Sequence, residues 1–244
     1  MRSSRSVADR PSRPDDPLDP GPRGFAHRGI HDGATFVENS FLGFAAALET
    51  GAGIECDLRL TADDQIIVFH DADALRLCGS RDVIARSTLA DLARFSVGNR
   101  PIPTLRQLLA LIDGRVPLLL EAKIDERFWR FGPALLAALG NYAGPYGVMS
   151  FDARLPRWLR TNAPHVRRGL VVADDLSPAR RWLAMKLADP HFIAVDRAAL
   201  GKPWVARARS LPVYSWTIRT AAERAAAEPL ADALIWEADG RPRA

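Results

Sequence analysis

Residues 53–71 read GIECDLRLTADDQIIVFHD: two β-type runs joined by a short polar turn. Glu55 and Asp57 stand two apart in the first run, which puts them on one face of a strand. At about 4 Å and an effective dielectric near 20, two carboxylates repel by about 4 kcal/mol. A fold that points both inward therefore needs a cation or a shared proton, and the pair reads as half of a metal site. A lone Glu-x-Asp is more often a solvated strand face, so the reading depends on what surrounds it. Between Leu58 and Gln65 there is no room for the crossover of a dozen residues that a parallel partner requires. QIIVFHD must therefore fold back antiparallel, carrying His70 and Asp71 toward the strand end that holds Asp57. Cys56 alternates with the carboxylates and falls on the opposite face.

The chain has 244 residues, 48% hydrophobic and 25% charged, enough to bury a sizeable core in one large α/β domain or two small ones. Its two cysteines, Cys56 and Cys78, lack a metal-like spacing and read as ordinary thiols of a reducing compartment. The net charge of +4 comes mainly from scattered arginines. Without a basic run or interleaved aromatics, nucleic-acid binding has no footing, and a mild attraction for anionic small molecules remains. Residues 1–22, rich in Pro, Arg, Ser and Asp, are expected to be a flexible tail before one domain over 23–244. The tail lacks the apolar core of a secretory signal, and no apolar run approaches the eighteen or so residues of a membrane span. The expected location is the cytoplasm.

Outward from the hairpin, GFAHRG reads as a short strand ending in His27-Arg28-Gly29. Asn39 or Ser40 then caps FLGFAAALET, where Phe41, Phe44, Ala45 and Leu48 recur at helical spacing and Gly51 closes the helix. After Asp71 an irregular segment runs to Pro103, with a short helical pattern around Leu89 to Phe95. Thr104 caps LRQLLALID, and VPLLLEAK is a buried strand ending in Glu121 and Lys123. Beyond it helices and strands alternate: ERFWRFGPALLAALG, YGVMSF, ARLPRWLRTN, RRGLVV, PARRWLAMKL, HFIAVD, PWVARARS, LPVYSWT, AAERAAAE and ADALIWE. With the folded-back run set aside, eight strands centre near Phe25, Ile54, Leu119, Val148, Leu170, Ile193, Tyr214 and Ile235. Such alternation predicts parallel strands with right-handed crossovers, and eight of them predict a (β/α)8 TIM barrel. In that architecture active sites lie at the C-terminal ends of strands. His27 and Arg28 end the first strand, Glu55 and Asp57 the second, Glu121 and Lys123 the third, and Trp216 the seventh.

The series His27-Arg28-Gly29, Glu38-Asn39, Glu55-x-Asp57, His70-Asp71, Glu121-x-Lys123, Ser150-Phe151 and Ser215-Trp216-Thr217 resembles the glycerophosphodiester phosphodiesterase family in order and spacing, from about Gly24 to the C-terminal region. The resemblance implies His27 and His70 as catalytic acid and base. It also implies Glu55, Asp57 and Glu121 as ligands of one divalent metal, with Arg28 and Lys123 meeting phosphate or substrate. The chain departs from the pattern where WEADGRP replaces the usual Thr-Asp-x-Pro ending, and where Asp64-Gln65 stands for Asp-Gly in the hairpin turn.

Three carboxylates form a hard oxygen site suited to Mg2+ or Ca2+ more than to Zn2+. A phosphodiester offers an alkoxide leaving group that needs a proton and a nucleophile, water or a glycerol hydroxyl, that must lose one. Two histidines fill those roles near neutral pH. Arg28 presents a planar fork and Lys123 a point charge to phosphate oxygens. Phe151 and Trp216 are candidate apolar walls for the alcohol, although aromatics at strand ends also serve cores. Glu121-x-Lys123 reads alternatively as a strand-end ion pair, Glu38 and Asn39 as cap or support, and His31 and Asp32 as solvated loop. His165 and His191 fall at the structural end of the barrel. The leading reading is metal-dependent hydrolysis of a small-molecule glycerophosphodiester to glycerol 3-phosphate and an alcohol. A lysophospholipase D acting on lipids and a non-catalytic barrel binding phosphorylated ligands are the alternatives, and the oligomeric state stays open.

Overall fold

The eight strand segments close on themselves in a computed structural model that describes residues 18–242. The barrel strands are β1 (Phe25–Ala26), β2 (Gly53–Leu60), β6 (Leu118–Ala122), β7 (Tyr146–Ser150), β8 (Arg167–Val172), β9 (Phe192–Asp196), β10 (Val213–Ile218) and β11 (Ala233–Trp236). All pair parallel, and β1 closes the ring, with Phe25 opposite Ile235 on one side and Gly53 on the other. The returning strand β3 (Ile66–Val68) pairs antiparallel with β2, Leu58 opposite Val68 and Leu60 opposite Ile66. Asp64 takes the left-handed conformation (φ 60°) in the turn between them. Asp tolerates that conformation, so Asp64-Gln65 makes the turn without glycine.

Helices α1 (Phe41–Thr50), α4 (Leu105–Ile112), α5 (Phe128–Leu139), α6 (Arg154–Asn162), α7 (Pro178–Ala188), α8 (Pro203–Arg207) and α9 (Ala221–Ala227) surround the barrel. The Ser40 hydroxyl accepts the Gly43 N–H to cap α1, and Thr104 with Gln107 forms a capping box on α4. The segment after β3 is less irregular than its sequence suggests. It contains the short helices α2 (Leu75–Cys78) and α3 (Leu89–Leu92) and a two-stranded hairpin of β4 (Ser96–Val97) and β5 (Arg100–Pro101). Ile67, Phe69, Ile84, Leu92, Val97 and Ile102 give it a small core of its own.

Period-two alternation divides the barrel residues into two layers. Ile54, Cys56 and Leu58 of β2 face outward and pack with Phe44, Leu108 and Ile112 of the helices. Phe25, Leu119, Met149, Phe192, Tyr214 and Ile235 face inward and fill the end of the barrel where the strands begin. Phe192 is the bulk of that plug: a Cβ on Gly169 would sit 2.2 Å from its ring.

Leu18, assigned from sequence to the tail, is 1% exposed and joins the inward cluster. Leu18 therefore packs with the barrel, because an apolar side chain gains transfer free energy by covering the open bottom. Of the predicted tail, residues 1–17 lie outside the described residues. Among the described residues no helix is long and apolar enough to cross a membrane.

Candidate active site

At the other end of the barrel the same strands carry charge. Glu55 and Asp57 point inward from β2 and Glu121 from β6, where Asp57 and Glu121 are register partners. All three are buried, and one oxygen of each lies within 4.8 Å of the others. Lys123 meets Asp57 Oδ1 at 3.0 Å and Glu121 Oε1 at 2.5 Å, and Arg28 Nε lies 3.0 Å from Asp57 Oδ2. Burial works against ionisation of Asp57, yet Lys123 and Arg28 outweigh it and hold the carboxyl down at about 2. Glu55 moves the other way, raised by burial and by the Asp57 and Glu121 charges. Glu121 is also raised, by burial first, with Lys123 opposing. Glu55 Oε1 is buried without a hydrogen-bond partner. Two cations thus compensate three carboxylates incompletely, and the deficit falls on Glu55.

The backbone after β1 is shaped for this cluster. Arg28 and Asn39 both adopt left-handed conformations (φ 56° and 53°), uncommon for side-chain-bearing residues and concentrated at functional sites. Arg28 thereby donates its N–H to Glu55 Oε2 at 3.1 Å, and the Asn39 amide donates to Asp57 Oδ2 at 2.9 Å. Gly29 is required beside them. With φ at 75°, a Cβ there would meet the Gly43 backbone carbon of α1 at 2.9 Å. Ser40 is the cap of α1, and Asn39 is freed to hold Asp57.

The two histidines approach from opposite flanks, each in the same kind of arrangement. His27 Nδ1 donates to Glu237 Oε2 at 2.6 Å, and Arg219 Nε donates to Glu237 Oε1 at 2.7 Å. His70 Nδ1 donates to Asp71 Oδ1 at 2.7 Å, and Arg76 Nε donates to Asp71 Oδ2 at 2.7 Å. Because an ionised carboxylate only accepts, each pair fixes the proton on Nδ1 and leaves Nε2 open to a further partner. His27 Nε2 stands 4.0 Å from Glu55 Oε2. Burial lowers the pKa of both histidines, with Glu237 opposing at His27 and Asp57 at His70. At Glu237 burial favours the neutral acid, but hydrogen bonds from His27 and His31 prevail and its pKa is depressed. His70 arrives as the hairpin argument requires, since the Phe69 N–H bonds the Asp57 carbonyl at 2.9 Å.

A pocket of about 250 Å³ gathers His27, Arg28, Glu55, His70, Glu121, Lys123, Phe151 and Trp216 over a floor that includes Met149 and Ile235. Phe151 and Trp216 pack edge to face, ring centroids 5.8 Å apart, and Lys123 Nζ lies 5.8 Å from the Phe151 ring centre. The Trp216 indole N–H is buried without a hydrogen-bond partner. All nine residues singled out from sequence therefore meet at one site. Glu38 is a support: it accepts from Arg28 at 2.9 Å and from Arg76 at 2.7 Å, linking the two flanks. Asp32 caps its own loop through three backbone N–H groups, and His31 lies 3.5 Å from Glu237. Glu237, Arg219 and Arg76 were not foreseen. Glu237 was signalled by its spacing, two residues beyond the inward-facing Ile235, as His27 is two beyond Phe25.

The pattern of the glycerophosphoryl diester phosphodiesterase family matches residues 27–236. The glycerophosphodiester phosphodiesterase of Caldanaerobacter subterraneus is 26% identical over 211 residues, 79% of this chain and 84% of that protein. Among solved structures, an Oleispira antarctica phosphodiesterase in complex with the product sn-glycerol-3-phosphate superposes with a TM-score of 0.77 at 21% identity, covering 90% of this chain and 94% of that one. A glycerophosphodiester phosphodiesterase from Thermotoga maritima gives a TM-score of 0.72 at 23% identity, covering 87% and 92%. These structural likenesses establish the barrel. The match along most of the chain, carrying the strand-end residues described above, goes further: the protein belongs to the glycerophosphoryl diester phosphodiesterase family.

Proposed function

We propose that the protein hydrolyses glycerophosphodiesters to glycerol 3-phosphate and an alcohol. In this reading His27 and His70 transfer the protons, and Glu55, Asp57 and Glu121 hold one divalent cation, Mg2+ or Ca2+. The observation that carries it is a single pocket flanked by two carboxylate-oriented histidines and containing both the acidic cluster and two cationic side chains. The donor set fits such an ion, because hard carboxylate oxygens converge within 4.8 Å and Glu55 Oε1 lacks any other partner. A bound divalent cation neutralises phosphate charge and makes phosphorus more electrophilic.

The chain's own groups supply the rest. Arg28 spends Nε on Asp57 and Nη1 on Glu38, leaving Nη2 for a phosphate oxygen. Lys123 adds a second positive charge beside it. One histidine accepts a proton at Nε2 from the attacking water or substrate hydroxyl. The other gives its Nε2 proton to the departing alkoxide as the phosphorus–oxygen bond breaks, so that water is consumed overall. Glu237 and Asp71 keep the two rings in the required tautomer, and Arg219 and Arg76 hold those carboxylates in place. Phe151 and Trp216 form an apolar wall, with the Trp216 N–H available to a substrate oxygen. The free thiols Cys56 and Cys78 suit a reducing compartment such as the cytoplasm.

The deciding experiment is an assay coupled to glycerol 3-phosphate release across a panel of glycerophosphodiesters, before and after EDTA and with Mg2+ or Ca2+ restored. Release that stops with EDTA and returns with the ion is the expected result. Full turnover after complete metal removal would eliminate the cation site.

A further inference from the structure

Helix α7, PARRWLAMKLA, is the least buried of the long helices, with Ala188 its single buried residue. Ala184 and Met185 rest against the barrel's outer core, and the opposite face presents Trp182 (63% exposed) and Leu183 (51% exposed) to solvent. Between α7 and α8 runs an open groove of about 580 Å³, whose lining includes Trp182, Met185, Trp204 and the cations Arg181, Lys202 and Arg207, of which Lys202 pairs with Asp174. The Arg181 guanidinium lies 4.1 Å over the Trp204 ring. The two helices together carry Arg180, Arg181, Lys186 and Arg207 and no acidic residue. Among the described residues Arg180, Lys186 and Arg207 take part in no ion pair.

We infer that this face docks on a lipid bilayer containing anionic headgroups. Trp182 and Leu183 adjoin the groove's apolar wall of Met185 and Trp204, and an exposed apolar patch rimmed by polar residues marks a protein or membrane interaction site. The cations around this pair select the partner. A second copy of the chain would bring identical positive faces together, whereas an anionic bilayer offers headgroups to the arginines and an acyl boundary to Trp182 and Leu183. Trp182 and Leu183 offer apolar area and Arg180 and Lys186 offer charge, the two contributions that together hold a protein at an anionic membrane surface. The orientation is also suitable. In a β/α barrel each helix starts at the end where the preceding strand finishes, so Pro178 and Pro203 lie at the pocket end and the groove runs down from it. Docking would hold the pocket mouth near the headgroup layer. The inference does not depend on the reaction proposed above, because its test reads binding.

The test is co-sedimentation of the full chain with sucrose-loaded vesicles of phosphatidylcholine alone or with 30 mol% phosphatidylglycerol, at low and at 0.5 M salt. Binding to the mixed vesicles, weakened by salt and absent on neutral ones, is expected. Trp182→Ala/Leu183→Ala should lower the partition coefficient at least about tenfold, since two large apolar side chains lose their buried area. Arg180→Gln/Lys186→Gln should lower it about 30-fold, at roughly fivefold for each cation near an anionic surface. Trp129→Ala removes a comparably exposed tryptophan (59%) from α5 and should change nothing. Circular dichroism and turnover of a soluble diester by each variant exclude misfolding as the cause. No binding at low salt, equal binding to neutral vesicles, or equal losses from Trp129→Ala would each overturn the inference. So would a wild-type dimer in light scattering that Trp182→Ala/Leu183→Ala splits into monomers, since the face would then belong to a second copy.

Discussion

On five barrel strands the residue that plugs one end and the residue that serves the other are two positions apart. The pairs are Phe25 and His27, Leu119 and Glu121, Met149 and Phe151, Tyr214 and Trp216, and Ile235 and Glu237. The second member lies on the strand (Glu121, Trp216) or one residue past its end (His27, Phe151, Glu237) and reaches the interior like the first, so facing alone does not distinguish them. Depth does. At the closed end Phe192 stacks on Tyr214 with ring centroids 4.8 Å apart, and both rings are buried. At the open end three carboxylates sit buried and incompletely compensated, which works against folding unless something cationic arrives. One end supplies stability, and the other spends some of it on chemistry.

The largest expected effect tests the closed end. Phe192→Ala should lower unfolding free energy by about 3–5 kcal/mol, the usual range for removing a buried phenyl ring, read from urea titration. Turnover per folded molecule should stay within about twofold. A tenfold fall in kcat would show that the plug and the pocket are mechanically coupled, and the division between ends would not stand. At the open end the pattern reverses. His27→Ala and His70→Ala should each lower kcat at least about 100-fold, with unfolding midpoints close to wild type. More than a tenth of wild-type kcat retained at saturating metal and substrate would remove that histidine from the proton-transfer pair.

The same contrast explains what was legible in the sequence. Alternation and capping residues exposed all eight barrel strands and most helices, because these are local patterns that the tertiary fold reinforces. The nine candidate residues could be placed close together because strand-end position and hairpin length confine them in space and the family resemblance singles them out. Leu18 was not. A single apolar residue among Pro and Asp has no period, and its burial depends on a gap at the barrel bottom that no local pattern reports. The β4–β5 hairpin was missed because two-residue strands are too short to show alternation. Arg76 was invisible for another reason: it reaches Glu38 from 38 residues away, out of the short helix α2, whose single turn shows no period in the sequence. Glu237 carries a signal in its offset from Ile235, but it lies in WEADGRP, the segment that departs from the family's pattern.

A smaller effect concerns the cation. Mg2+ or Ca2+ should raise the melting temperature of the free protein, since a ligand bound only to the folded state adds about 2.7 kcal/mol at 100 times its Kd. Asp57→Asn should shrink or abolish that shift, because an anionic donor becomes a neutral amide at nearly constant volume. Glu55→Gln should do the same while making the metal-free protein no less stable, as it removes the least compensated buried charge. Large single losses in kcat/KM should also fail to multiply in Glu55→Gln/Asp57→Asn, because both carboxylates serve one ion. An unchanged melting shift in the double variant would dissolve the shared site and leave three buried carboxylates without a role.

The smallest effect belongs to Glu237, which touches the histidine and not the pocket's reacting atoms. Glu237→Gln keeps the length of the side chain and one acceptor oxygen for His27 Nδ1, but loses the negative charge that Arg219 anchors. The ring remains packed and oriented, so kcat should fall only about tenfold, at the low end for an oriented imidazole losing its carboxylate. The pH profile distinguishes this from a general weakening of the fold. Burial already lowers the His27 pKa, and Glu237 acts in the opposite direction by favouring the imidazolium. Removing that charge must lower the pKa further, and the limb of the kcat/KM profile that reports His27 should move to lower pH. The sign is the same whether His27 gives or accepts the proton, since only the limb's identity changes between those cases. Asp71→Asn should shift the opposite limb by the same logic at His70, where Asp71 also favours the charged ring. If both substitutions moved the same limb, the two histidines would not be working as a complementary pair. If neither moved any limb, the carboxylates would be anchors for Arg219 and Arg76 alone.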